Sequence, residues 1–217
     1  MRVLVTAGST EGPIDKVRFI GNIFKGKTGH GIACYFAILR DDVTLITSGD
    51  LPSLEEFPTL RAFRYRTFDE LKDRMAHEIC YGSYDVVIHS AAVGDYKVSG
   101  VYVSRNSELC PIDNNRKIPS SYDKLFLELT LTIKIVDQIR EPWGFKGKLV
   151  KFKLQEGISD EELIAIAKES LKVSRADFIV ANCLEWYKER AYIIGADGYC
   201  DNVSREKLNQ RLGELLS

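Results

Sequence analysis

The chain has 217 residues, 45% apolar and 28% charged, and its 30 basic and 31 acidic side chains leave a formal charge of −1. That length is enough for one large hydrophobic core, so a single domain over residues 1–217 is expected. Near-neutral charge gives no electrostatic footprint for nucleic acid or an anionic membrane surface, and neither is expected as a partner.

The first element is a strand over residues 2–6, the β-branched run Arg2-Val3-Leu4-Val5-Thr6. It stops at Ala7-Gly8-Ser9-Thr10, small residues that let backbone N–H groups approach a ligand phosphate. A polar detour follows, and a helix is expected only over 29–40, after Gly26-Lys27-Thr28-Gly29. Further strands are expected at 43–47, 60–65 and 84–90, with a helix over 68–80. Residues 95–125 lose all periodicity and read as an irregular functional or mobile excursion. A strand resumes at 125–129, then a helix over 130–140 and strands at 149–154 and 178–181. Helices over 159–173 and 204–216 complete the pattern, the former opened by the capping sequence Ser159-Asp160-Glu161-Glu162.

Strands alternating with helices imply an α/β, Rossmann-like, mostly parallel sheet flanked by helices, with an inserted loop or arm. Right-handed crossovers put the strand C-termini on one rim, where ligands bind. The loops after the first, the fourth and the last two strands share that rim, and all four hold unusual residues.

Five cysteines without a CxxC pair read as reduced thiols in a cytoplasmic protein. Three scattered histidines predict no protein-held metal. The first apolar run is too short for a signal peptide, and no stretch reaches transmembrane length.

Gly21 to Thr28 fits the P-loop pattern GxxxxGK[ST]. A true P-loop leaves a central strand directly, whereas Asp15 to Ile20 is short and charged. A P-loop NTPase therefore stays a weaker alternative. No GxGxxG follows the first strand, which disfavours an ordinary dehydrogenase.

The run from Val5 to Asn22 resembles the start of phosphopantothenoylcysteine synthetases, which read VTAGGT-x-EPID-x-VR-[FY]-I-[ST]-N and then SSGKMG. Three further blocks resemble that family in order. Ser90 to Tyr96 is similar to its AAAVADY, and Lys117-Ile118-Pro119-Ser120, with Phe126 to Leu129, to its lysine loop and following strand. Val150 to Leu154 and Ile179 to Asn182 are similar to VGFAAET and IVANDVS.

The resemblance implies a ligase joining L-cysteine to 4′-phosphopantothenate in coenzyme A biosynthesis, through an acyl-nucleotidylate and with release of pyrophosphate. It implies CTP, or alternatively ATP, as co-substrate with Mg²⁺. Because the chain begins at the synthetase, it also implies a free-standing form without FMN, a homodimer, and a separate flavin-dependent decarboxylase in the pathway. Carried onto this sequence, Asn22 would hold the acyl-nucleotidylate carbonyl, Lys117 the triphosphate, and Asp15 would orient Asn22. Gly8, Ser9 and Thr10 would line the phosphate end of the nucleotide, with Ala91, Ala92, Asp95, Phe152 and Asn182 around base and ribose. Lys27 and Gly26 would meet the substrate phosphate. Phe24-Lys25 replaces paired serines, Gly21 a hydroxyl residue, and Cys183 an aspartate. These departures keep open a binding protein on the same fold that has lost ligase chemistry.

Overall fold

The computed structural model describes residues 1–53 and 55–217. Thirteen strands and five helices are found among them. The main sheet has eight strands in the order β13-β12-β11-β10-β6-β1-β4-β5. Its parallel members are β1 (Arg2–Ala7), β4 (Asp42–Thr47), β5 (Leu60–Arg64), β6 (Val86–His89), β10 (Lys148–Gln155) and β11 (Phe178–Cys183). All six sit where apolar β-branched runs predict strands, because a strand covered on both faces needs near-continuous apolar sequence.

Two antiparallel strands, β12 (Arg190–Gly195) and β13 (Cys200–Ser204), finish one edge. The sheet is sandwiched between two cores. On one face α1 (Lys27–Ile38) and α5 (Leu208–Leu216) bury Ile32, Phe36, Leu208 and Leu212. On the other, α2 (Phe68–Tyr81), α3 (Ile135–Arg140) and α4 (Asp160–Ser174) bury Leu71, Met75, Ile139, Leu163 and Leu171. Thr67 with Glu70 and Ser159 with Glu162 form capping boxes at α2 and α4, each hydroxyl contributing about 1 kcal/mol.

The excursion is irregular only in part: residues 112–125, which carry Lys117, form no strand or helix, whereas the stretch before them is regular. Residues 96–131 form a three-stranded antiparallel sheet, β8-β7-β9, from β7 (Tyr96–Arg105), β8 (Glu108–Pro111) and β9 (Phe126–Leu131). A register shift between Val98 and Gly100 breaks the period-two pattern and hides the strand from the sequence. The helix expected over 130–140 is shorter, since Leu127, Leu129 and Leu131 continue β9 and α3 starts at Ile135. The polar detour after β1 is a small hairpin of β2 (Glu11–Pro13) and β3 (Phe19–Gly21).

Chain order reverses between β1 and β6: β4 and β5 extend one way, β6, β10 and β11 the other. Their C-terminal ends therefore leave a crevice at that switch point, the position at which open α/β sheets bind ligands.

Candidate functional site

The crevice is built from Gly8-Ser9-Thr10 after β1 and Ala91-Ala92 after β6. Ser9 and Ala92 form an isolated parallel bridge, with Ala92 N–H donating to Gly8 O at 2.8 Å and Thr10 N–H to Ala92 O at 3.2 Å. The Ser9 N–H donates to the Ser48 hydroxyl at 2.8 Å, and Gly94 N–H donates to Thr10 Oγ1, also at 2.8 Å. Ser9 and Thr10 are thus engaged within the chain. Their amides brace the crevice.

Two glycines make this crossing possible. Gly8 and Gly26 have φ of +88° and +81°, and a Cβ on Gly26 would lie 2.2 Å from Gly8 N. Gly26 thereby seats the start of α1 directly on the β1 turn, which brings Lys27 to the rim with its side chain exposed. The first turn of α1 has no acidic residue and no side-chain cap, so its free N–H groups and partial positive charge face the crevice unneutralised.

Asn22 follows β3 at the mouth of the crevice, where its Nδ2 donates to Ala92 O at 3.3 Å and its own carbonyl accepts from Ser9 Oγ at 3.4 Å. Asn22, Ser9 and Ala92 are therefore brought together. Its amide is exposed, with capacity for a ligand.

Asp15 does not touch Asn22, and the expectation that it orients that amide is corrected. Its carboxylate accepts from the backbone N–H of Val17 and Arg18 at 2.8 and 2.7 Å, and from Arg18 Nε at 3.0 Å. It also accepts from the N–H of Ile118 at 3.0 Å, while Arg18 donates to Ile118 O at 2.8 Å. The Arg18 guanidinium, helped by these amides, holds the Asp15 carboxyl well below the usual carboxylate range. A carboxylate in a tight turn serves here as a latch for the lysine loop. Lys117 itself is exposed beside the buried Ile118, at a distance along the fold from the Gly8 turn that no hydrogen bond spans among the described residues.

Asp95 lies on the rim in an exposed ion pair with Lys134. Phe152 lies within β10 opposite Val180, and Asn182 lies near the end of β11 opposite Leu154. Phe152 packs against the α1 core rather than standing free. Asn182 is 7% exposed, and its Oδ1 has no partner among the described residues. An orphaned acceptor at the end of a central strand is costly unless a ligand completes it. Cys183 is buried, and burial pushes its thiol up, away from reactivity.

The P-loop reading fails on its own mechanics. Gly21 belongs to a two-stranded hairpin rather than the central sheet, and the Thr28 hydroxyl is taken by Arg205. Arg205, Ser48 and Tyr187 are site-region residues that the sequence did not reveal. Tyr187 meets the Phe24 ring edge-on at 5.5 Å, so Phe24 closes a wall where serine stands in the pattern it resembles.

Mg²⁺ and a nucleotide fit this donor set in different degrees. Among the described residues no cluster of three metal-ligating side chains exists. The arrangement suits an ion carried by phosphate oxygens with at most the Asp95 carboxylate, the usual habit of Mg²⁺. The orphaned Asn182 oxygen suits a nucleotide base with an exocyclic amine. No helix among the described residues is long and apolar enough to cross a membrane.

The chain is 35% identical over 202 residues to the coenzyme A biosynthesis bifunctional protein CoaBC of Thermococcus kodakarensis, covering 90% of this chain and 45% of that protein. It is 29% identical over 210 residues to the CoaBC protein of Borreliella burgdorferi, covering 95% and 49%. The chain thus spans about half the length of these relatives. Its fold superposes on the DNA/pantothenate metabolism flavoprotein of Streptococcus pneumoniae with a TM-score of 0.82 at 28% identity, covering 99% of this chain and 97% of that one. The sequence profile of the DNA/pantothenate metabolism flavoprotein C-terminal domain family matches residues 1–198, and the chain belongs to that family.

Proposed function

We propose that the protein is a phosphopantothenate–cysteine ligase acting in coenzyme A biosynthesis. The observation that carries this reading is the meeting of Asn22 with Ser9 and Ala92 at the switch point of the sheet, beside the unneutralised start of α1. The CoaBC relatives are named for coenzyme A biosynthesis, which supports the substrate class.

A carboxylate acylates an amine only after activation. In this reading the carboxylate of 4′-phosphopantothenate attacks the α-phosphorus of a nucleoside triphosphate, pyrophosphate leaves, and an acyl-nucleotidylate forms. The cysteine amine then displaces the nucleoside monophosphate and loses a proton to give the amide. Lys117 stabilises charge on the triphosphate during the first step. Asn22 holds the acyl carbonyl for the second, acting as a fixed dipole at the place where negative charge develops. Asn182 and Ala91-Ala92 receive the base, Lys27 and Gly26 the substrate phosphate, and Asp95 the ribose or a nucleotide-borne ion. Mg²⁺, when bound, supplies charge neutralisation between phosphate oxygens. CTP is the favoured nucleotide and ATP the alternative.

A homodimer completes the reading. β9 is an edge strand of the arm, and Tyr96, Leu109, Phe126, Leu129 and Leu131 on that arm are exposed. An apolar edge of this kind invites pairing with a second copy, which would carry the lysine loop toward a neighbouring site.

Rapid-quench analysis with labelled nucleotide tests the roles. Asn22→Ala should accumulate acyl-nucleotidylate with amide formation slowed about 100-fold, whereas Lys117→Ala should fail to form it. Equal loss in both half-reactions for both variants contradicts the assignment.

A further inference from the structure

Arg205 directly follows β13, whose C-terminus lies at the same rim as those of β1 and β11. Its backbone N–H donates to Glu189 O at 2.7 Å, and its Nη2 donates to the Thr28 hydroxyl in the first turn of α1. The other terminal nitrogen, Nη1, is shielded from solvent and meets no acceptor among the described residues.

Other partly buried arginines are paired. Arg140, Arg190 and Arg211 hold Asp177, Asp160 and Asp201. Among the described residues no carboxylate pairs with Arg205: burial weakens its hold on its proton, and Tyr187 opposes that. A desolvated guanidinium without a counter-ion is strongly unfavourable unless an anion joins it.

The surroundings select the anion. Lys27 is one residue from Thr28, and the first turn of α1 contributes free N–H groups and no acid. Asn182 lies on the same sheet face: β11 alternates, Phe178 and Val180 belong to the α1–α5 core, and Asn182 continues that side. A nine-tenths-buried acceptor without a partner thus opens onto the same rim as a buried donor without one. Both await a ligand that brings a donor to Asn182 and oxygens to Arg205.

We propose that Arg205, with Lys27 and the first turn of α1, grips a phosphoryl group of a bound substrate, and that Thr28 holds the guanidinium in position. The ligase reading supplies two sources for that group, the phosphate monoester of phosphopantothenate and the phosphates of the nucleotide; the seat itself does not depend on that reading.

Calorimetric titration of wild type, Arg205→Met and Arg205→Lys with inorganic pyrophosphate, 4′-phosphopantothenate, pantothenate, CTP and cytidine separates the cases. Arg205→Met should weaken pyrophosphate and at least one phosphorylated ligand tenfold or more, and leave its dephosphorylated counterpart within twofold. Arg205→Lys should recover part of the loss. A selective loss for phosphopantothenate assigns the monoester; one for CTP assigns the nucleotide. Should Arg205→Met fail to fold, Thr28→Val tests the same seat and should weaken the phosphorylated ligands several-fold with unchanged Tm. Absence of pyrophosphate and phosphorylated-ligand binding in wild type overturns the proposal. So does wild-type affinity in a folded Arg205→Met, or equal weakening with and without the phosphoryl group. Pyrophosphate binding that depends on Arg205, in a protein without cysteine-dependent turnover, rejects the ligase reading and leaves the phosphoryl seat standing.

Discussion

Asp15 and Ile118 lie 103 residues apart, yet the N–H of Ile118 donates to the Asp15 carboxylate at 3.0 Å. One carboxylate in the turn between β2 and β3 therefore positions the loop that bears Lys117. Two further ties join turn and loop: Arg18 donates to Ile118 O at 2.8 Å, and the Asn114 amide donates to Ile14 O at 3.1 Å. Because Arg18 and three backbone amides keep Asp15 ionised far into the acid range, the latch is closed at neutral pH.

Asp15→Ala should release this latch. Hydrogen exchange at residues 112–120 should accelerate at least tenfold while exchange in β1 and β6 stays slow. An unchanged Ile118 amide would show that the loop is held by other means.

The Gly8–Gly26 contact predicts a graded series. Gly26→Ala puts a methyl 2.2 Å from a backbone nitrogen that cannot move aside, at a φ of +81°. It should cost more than 3 kcal/mol, against about 1 kcal/mol for Gly198→Ala, which meets only open space at positive φ. Urea denaturation of both variants measures the difference, and equal losses would mean that the two turns are not packed as described.

His89 is buried in β6, its Nδ1 2.9 Å from the Thr6 hydroxyl, and desolvation with nearby Lys151 lowers its pKa to about 4. The folded value is depressed below the unfolded one of about 6.5, so the neutral ring's contribution is fully present above pH 6.5. It is lost progressively as pH falls toward 4, by up to about 3 kcal/mol. His89→Gln should flatten this part of the stability–pH curve. A slope that persists in the variant would place its origin elsewhere.

Asn182 makes no hydrogen bond through its buried Oδ1 among the described residues. Asn182→Ala removes an unsatisfied group along with some packing, so Tm should change by only about 2 °C. Nucleotide affinity should fall about tenfold. A large loss of stability with intact nucleotide binding would make Asn182 a structural residue.

The sequence revealed most where one physical rule acts alone. The parallel strands are apolar on both faces and the helix of Leu163, Ala167 and Leu171 is regularly periodic, so both are read directly. The arm was legible as an insertion, but its strand β7 was not, because the bulge at Val98–Gly100 interrupts alternation. β13 was hidden because Asp201 and Asn202 make a polar edge without an apolar run, whereas β12 carries the short apolar run Ala191 to Ile194 and was legible. At the site, Asn22, Ser9 and Ala92 were legible through their family pattern, and the structure brings them together. Arg205 was not legible, because a solitary arginine after a strand carries no signal until the fold buries one of its terminal nitrogens without an acceptor among the described residues. The partner of Asp15 was hidden for a related reason: a contact across 103 residues leaves no trace in local spacing.

The central claim is tested most directly by pyrophosphate release with 4′-phosphopantothenate, CTP or ATP, and Mg²⁺, each with and without cysteine. The ligase account predicts sustained release that requires phosphopantothenate and becomes catalytic only when cysteine is present. No release in any combination, from folded protein that still binds nucleotide, would contradict it and identify a binding protein on a ligase fold.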